Sequence, residues 1–361
     1  MVAARCRHKW DRIVPAVGFP LGDWIDDHAD CRHDLGRSGM AGSVEHPRPT
    51  DEEVRTAKES DLRQALAERI RVDPGRVFLT HGATEANGWL ASFLAGPGAT
   101  RERTLRVQFP EYPPFVDAFR AMGFRLAFAR RAAAVGVISQ PRNPEGDLWP
   151  ADRFAAWAEG ADQVVVDETF REFGGTPSLS STGHPGWWTT GTFTKFFGAD
   201  DLRVGFVIAP PEQSAAFAAF HANVVDHVPP YSVAGALATL RDQDRIARDV
   251  RAVLEPNRRA WSAAVHAPPP VAPVAFDRTD EDGRTLAERC VRASVLVCPG
   301  DLFGDPSGVR VCLTRRSFRE DLAAYLDVRD RREVTGPGAT GRPRRGRDGG
   351  PAGAAAPAAG R

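Results

Sequence analysis

The chain has 361 residues and carries 47 basic and 47 acidic side chains, so its formal net charge is zero. That balance argues against a dedicated nucleic-acid binder, for which a basic domain is expected. Hydrophobic residues at 42% and charged residues at 26% exclude global disorder, and no apolar run approaches the ~18 residues of a membrane span.

In chain order, the opening MVAARCRHKWDRIVPAVGF imitates a basic leader, but Trp10, Asp11, Arg12 and Pro15 interrupt its apolar stretch. Residues 1–43 are expected to complete a small domain formed mainly by the C-terminal part. From 44 to 241, strand-like runs alternate with amphipathic stretches. The runs are RVFLT (76–80), TLRVQF (104–109), FRLAFA (124–129), VGVIS (135–139), QVVVD (163–167), WTTGTF (188–193) and VGFVIA (204–209). Helical stretches at 84–95, 113–122 and 150–160 lie between several of them. This order predicts an α/β large domain with a mainly parallel mixed sheet flanked by helices, whose crevice lies at the carboxyl ends of the strands. Residues 211–265 read as helices broken near VPPYS (228–232), with a long one over 242–265 ended by Pro268, Pro269 and Pro270. Residues 242–332 then supply an interdomain helix and a small α+β domain built on PVAFD, SVLVCP and GVRVCLT. The tail, 333–361, is Gly, Pro, Ala and Arg with almost nothing to bury, and reads as disordered.

Two residue counts narrow the chemistry. Cys6, Cys31, Cys290, Cys298 and Cys312 are odd in number and form no CxxC pair, which reads as reduced thiols in a cytoplasmic protein without a metal site. Only three of the basic residues are lysines, Lys9, Lys58 and Lys195, so arginine serves nearly everywhere a generic positive charge suffices. A surviving lysine hints at the need for a primary amine, because guanidinium does not form a Schiff base under ordinary conditions. Lys9 and Lys58 sit in polar segments. Lys195 sits among Phe193, Phe196 and Phe197, where desolvation lowers the pKa of an amine and makes it nucleophilic.

Three further features fall at strand ends. Gly82-Ala83-Thr84 follows RVFLT and opens a helix, whose free N–H groups make an anion cradle. It is equally a plain junction with Thr84 as the helix cap. Asn143-Pro144-Glu145-Gly146 follows the strand at 135–139 and is by itself a good turn sequence. Asp167 closes QVVVD and places a carboxylate at the lip of the sheet, as a helix cap or as the partner of a buried cation. Together with Lys195 these meet the needs of pyridoxal phosphate: a lysine, an acid for the ring nitrogen, a donor to the phenolate oxygen and a phosphate cradle.

The stretches GATEA (82–86), PEYPPF (110–115), NPEG (143–146), DETF (167–170), TFTK (192–195), LRVG (202–205) and GVRVCLT (308–314) come in the order found in class I/II aminotransferases. The chain resembles that pyridoxal-phosphate family, which includes aspartate and histidinol-phosphate aminotransferases, over roughly residues 20 to 328. The resemblance implies transfer of an amino group between an L-amino acid and a 2-oxo acid through a Schiff base on Lys195. It implies that Asp167 faces the pyridine nitrogen, Asn143 donates to the phenolate oxygen and Tyr112 stacks on the ring. Gly82, Ala83, Thr84, Thr192, Thr194 and Arg203 would hold the phosphate. Arg310 would grip the substrate α-carboxylate, Gly39 would lie where the N-terminal segment folds over the substrate, and the enzyme would be a homodimer.

The sequence departs from the family in two places. Phe170 stands where a tyrosine is usual, as in relatives similar to threonine-phosphate decarboxylase. No counterpart of the partner-subunit tyrosine precedes Leu62-Arg63. The opening GDWIDDHADCRHDLGRSGM resembles capreomycidine synthase-like members, so decarboxylation or cyclisation with the same cofactor is the alternative reaction. Trp24, His28, Arg32, His33 and Arg37 are candidates for shaping the substrate side-chain end of the pocket, or equally a mixed-charge surface helix.

Overall fold

The computed structural model describes residues 18–96, 102–127 and 132–331. The leader-like start, Cys6, Lys9 and the tail at 333–361 lie outside them. In chain order the N-terminal part has helix α1 (Pro20–Asp27), strand β1 (His33–Asp34) and helices α2 (Asp51–Thr56) and α3 (Glu59–Ile70). Next come β2 (Val77–Thr80), α4 (Ala83–Leu94), β3 (Thr104–Val107), α5 (Pro113–Ala121), β4 (Arg125–Leu126) and β5 (Ala133–Ser139). They are followed by α6 (Ala151–Ala158), β6 (Ala161–Asp167), α7 (Arg171–Gly174), β7 (Trp187–Thr192) and β8 (Gly205–Ile208). Helices α8 (Ser214–Val224), α9 (Pro230–Arg241) and α10 (Gln243–Val265) lead to β9 (Val274–Arg278) and α11 (Gly283–Arg292). The last elements are β10 (Val295–Leu296), β11 (Cys298–Pro299), β12 (Gly308–Cys312) and α12 (Phe318–Asp330), and one unit runs to Asp330.

A seven-stranded sheet has the order β2-β8-β7-β6-β5-β3-β4. Strands β4, β3, β5, β6 and β7 run parallel, while β8 is antiparallel to both β7 and β2. The carboxyl ends of β2, β5, β6 and β7 therefore share one edge of the sheet, together with the start of β8. The expected run FRLAFA contributes only the two-residue β4 within the described residues.

Period-two alternation explains how this sheet is buried on both faces. Phe78, Val165, Trp188 and Val207 point into a core with α4, α5 and α8, in which Leu90, Phe115 and Phe217 are fully buried. Their neighbours Val77, Leu79, Phe206 and Ile208 point the other way, onto Leu62 and Leu66 of α3 and Val233 and Leu240 of α9. Val164 and Val166 join Phe154 and Trp157 of α6. Near-continuous apolar runs such as QVVVD are what such a doubly covered strand requires.

The C-terminal part forms a three-stranded antiparallel sheet, β11-β12-β9, and β1 pairs in parallel with β10. The N-terminal segment is thereby hydrogen-bonded to the C-terminal part, His33 against Val295 and Asp34 against Leu296. Helix α10 ends at His266, whose φ of 54° is left-handed, two residues before the prolines. No helix among the described residues is long and apolar enough to cross a membrane.

Candidate active site

A cavity of about 420 Å³ opens at the shared edge of carboxyl ends. Its wall contains the candidate catalytic, cofactor-binding and carboxylate-binding positions: Gly39, Gly82, Ala83, Thr84, Tyr112, Asn143, Asp167, Phe170, Thr192, Thr194, Lys195, Arg203 and Arg310. Of the five residues considered for the side-chain end of the pocket, only Arg37 reaches it; Trp24, His28, Arg32 and His33 do not.

The cradle is made by backbone that only glycine permits. Gly82 caps α4 at φ +100°, and a Cβ there would meet the Arg203 guanidinium at 3.1 Å. A Cβ on Gly205 would meet the Gly82 carbonyl carbon at 2.4 Å, so the start of β8 can approach the turn only as glycine. The cap is therefore Gly82, not Thr84, which leaves Thr84 in the first turn, whose N–H groups have no partner within the helix. Thr80 Oγ1 donates to the Gly82 carbonyl at 3.0 Å and fixes the loop. Opposite, Thr192 Oγ1 donates to the Val204 carbonyl at 3.0 Å and accepts from Thr194 N at 3.2 Å. Arg203 has a positive φ of 49°, the kind of strained backbone found at functional sites, and it forms no ion pair among the described residues. The result is N–H groups, hydroxyls and an unneutralised guanidinium around one hollow, an arrangement that suits an anion.

Asp167 ends β6 and is 5% exposed. Its carboxylate accepts from the Asn87 amide at 3.1 Å and from Thr169 N at 2.9 Å. Thr190 donates to the other end of Asn87 at 2.9 Å, which sets the amide orientation. Burial raises the Asp167 pKa, while Thr169, Asn87 and Lys195 oppose the rise. Lys195 follows β7 and lies half-buried against Gly39, with Met40 N donating to its carbonyl at 2.9 Å. Burial, and then the Arg310 guanidinium, pull its amine below the usual lysine range. Exposed Lys58 has no such setting.

Arg310 comes from β12 and is 2% exposed. It stacks over Phe303 at 4.9 Å and donates to the Gly36 carbonyl at 2.7 Å and to Asn143 Oδ1 at 3.4 Å. Among the described residues it forms no ion pair, and its Nε is buried without a partner there. A buried guanidinium left unneutralised is costly unless a ligand supplies the anion. Because Asn143 Oδ1 accepts from Arg310, its NH2 remains the donor. Gly146 fixes that turn: at φ +86°, a Cβ there would lie 2.1 Å from the Val274 carbonyl oxygen of β9.

The sequence reading missed several wall residues and their supports. Asn87 is detectable in principle, as a polar residue on the buried face shared with Ala86, Leu90 and Ala91. Glu111 carries no such signal. It is fully buried beside Tyr112, accepting from Tyr112 N at 2.7 Å, Ser139 N at 2.8 Å and Ser139 Oγ at 2.5 Å. Burial pushes its pKa up to about 7 despite the Arg142 charge. Phe19, Leu21 and Ile25 of the α1 region also line the cavity. Phe170, where a tyrosine is usual in the family, is 3% exposed, lines the cavity and packs edge-on to Phe173 at 6.0 Å.

The sequence model of the family described as Aminotransferase class I and II matches residues 54–326. Histidinol-phosphate aminotransferase of Halobacterium salinarum is 25% identical over 309 residues, covering 75% of this chain and 81% of that protein. Aspartate aminotransferase of Thermococcus kodakarensis is 26% identical over 210 residues, covering 54% of this chain and 58% of that protein. Among solved structures, an aminotransferase from Mycobacterium tuberculosis superposes with a TM-score of 0.72 at 18% identity, covering 87% of this chain and 97% of that one. Histidinol-phosphate aminotransferase from Sinorhizobium meliloti in complex with pyridoxal-5'-phosphate has a TM-score of 0.67 at 18% identity, covering 89% and 97%. The chain belongs to aminotransferase class I and II and is an enzyme dependent on pyridoxal phosphate.

Proposed function

We propose that this enzyme moves an amino group between an L-amino acid and a 2-oxo acid, with Lys195 as the catalytic residue. The observation that carries the assignment is the convergence of one desolvated lysine, one buried aspartate and two arginines without ion pairs on a single cavity. The wall fits the cofactor group by group. The hollow formed by Gly82, Ala83, Thr84, Thr192, Thr194 and Arg203 takes the phosphate, and Asp167 takes the ring nitrogen. Asn143 donates to the phenolate oxygen, and Tyr112 covers the ring. When bound, pyridoxal phosphate supplies an electron sink for charge left at the substrate Cα.

The chain's own groups do the rest. Asn87 and Thr169 N hold the Asp167 carboxylate in place and favour its charged form. Arg310 and Asn143 bind the substrate α-carboxylate, and the fork geometry of the guanidinium fixes its orientation. Lys195 anchors the cofactor and then takes the proton from the substrate Cα. Its lowered pKa keeps a neutral amine available for that task. Gly39 closes over Lys195 from the N-terminal segment.

We read residues 1–43 with 242–332 as the small domain, 44–241 as the cofactor-binding domain, the enzyme as a homodimer and its compartment as the cytoplasm. The free thiols of Cys31, Cys290, Cys298 and Cys312 support that compartment. The test treats the half-reactions separately: an L-amino acid alone bleaches the visible band of the purified enzyme, and a 2-oxo acid restores it. Lys195→Ala abolishes both changes. Carbon dioxide release without any need for a 2-oxo acid would instead indicate a decarboxylase. An active monomer in sedimentation would refute the dimer.

A further inference from the structure

We infer that the substrate side chain is large and apolar and carries no negative charge; this rests on the site assignment above and narrows it. The first argument is a census of charge. Four cations line the cavity: Arg37, Lys195, Arg203 and Arg310. Three are taken, by the cofactor's covalent attachment, by its phosphate and by the substrate α-carboxylate. The fourth, Arg37, is tied to buried Asp34 at 2.8 Å. Asp34 and Asp321 share Arg315 as well, at 3.4 and 3.8 Å, so two acids and two arginines balance there. No unneutralised cation of the described wall remains for a second carboxylate or a phosphate ester. Of the two carboxylates of the wall, Asp167 takes the ring nitrogen and Asp200 repels either group.

The second argument is the surface next to Arg310. Its guanidinium lies on the Phe303 ring, and Phe303 is packed in one apolar cluster with Leu21, Cys298 and Leu302. Ile25 and Tyr112 pack against the same cluster, and Phe19 meets Tyr112 edge-on at 6.4 Å. Phe19, Leu21, Ile25 and Tyr112 are all exposed to the cavity. An apolar strip thus runs from beside the carboxylate-binding arginine to the mouth, where Phe19 keeps 41% of its surface exposed. Helix α1, which carries Leu21 and Ile25 of this strip, is pinned by the Trp24 indole donating to the Val297 carbonyl at 2.9 Å. A side chain leaving Cα along that strip gains by shedding water from apolar surface, whereas an anionic one loses its hydration with no cation in return.

The experiment measures binding and reaction independently. Calorimetric titration of the loaded wild-type enzyme with the unreactive acids 4-methylpentanoate and glutarate reads the side-chain preference without turnover. The expected result is at least tenfold tighter binding of 4-methylpentanoate. Equal or tighter binding of glutarate overturns the inference. In the half-reaction assay, leucine and phenylalanine should exceed aspartate, glutamate and histidinol phosphate at least tenfold in kcat/KM. Alanine should fall about tenfold or more below leucine, since even one methylene in an apolar pocket is worth about that much. A winning acidic or phosphorylated amino acid, or a winning arginine or lysine, overturns it. If 4-methylpentanoate binds preferentially but no amino acid reacts, the side-chain assignment holds and the transamination reading fails. Ile25→Arg places a cation on the half-buried part of the strip; kcat/KM for glutamate should rise and that for leucine fall, each about tenfold. Unchanged ratios in a folded variant would remove Ile25 from the pocket wall and with it the inference.

Discussion

Replacing Asn87 with leucine keeps similar bulk on the buried face of α4 but deletes both ends of its amide. Asn87 is 2% exposed, donates to Asp167 at 3.1 Å and accepts from Thr190 at 2.9 Å. A hydrogen bond to a charged group is worth about 1.5–3 kcal/mol. Asp167 then keeps only the Thr169 N–H among these donors, and its pKa, already raised by burial, should climb further. A carboxylate held less firmly in its charged form favours a protonated ring nitrogen less, so the ~1.5–3 kcal/mol lost should lower cofactor affinity by between about tenfold and a hundredfold. Equilibrium dialysis of the apo-enzyme against pyridoxal phosphate measures that loss. A double-mutant cycle with Asp167→Asn separates the effect from packing, because Asn87 loses its charged partner in that background. The two substitutions should therefore be strongly non-additive for cofactor affinity. If Asn87→Leu lowers the melting temperature but leaves cofactor affinity within twofold, or if the cycle is additive, then Asn87 does not act through the carboxylate.

Arg310→Lys keeps the charge but loses the forked pair of donors; KM for the amino acid should rise by about tenfold or more while cofactor occupancy holds. Lost occupancy at unchanged KM would assign Arg310 to the cofactor instead. Glu111, with its pKa lifted from 4.5 to about 7, contributes stability that is full below 4.5 and lost as pH rises through about 7. The difference corresponds to about 3 kcal/mol at most, so Glu111→Gln should flatten the fall in unfolding free energy between pH 5 and 8, measured by denaturant titration, by roughly that much. A parallel fall in both proteins would mean that Glu111 is ionised throughout. Phe170→Tyr should add a second donor to the phenolate oxygen and lower the pH midpoint of the cofactor's visible absorbance by about one unit. An unmoved or raised midpoint would show that residue 170 does not face that oxygen.

The chemistry-bearing positions were readable along the chain because each depends on local rules. An apolar run predicts a strand, its last residue predicts the lip of the sheet, and Gly82 or Asn143-Pro144 predicts the turn that follows. Lys195 stood out by residue choice alone, in a chain that otherwise uses arginine. Boundaries were less exact: α4 starts at Ala83, capped by Gly82, because the close approach of Gly205 of β8 and of Arg203 just before it, remote in sequence, shapes the turn. What only the tertiary structure decided is burial and partnership. Glu111 reads as an ordinary surface acid until Ser139 folds over it, and Asn87 as a helix surface residue until Thr190 and Asp167 bracket it. Arg310 and Arg37 are both arginines near a cavity, and no local pattern tells them apart. They differ because Asp34 neutralises Arg37 while no carboxylate of the described residues reaches Arg310, and that difference is set by the packing of β1 against β10 and β12 beside the N-terminal segment.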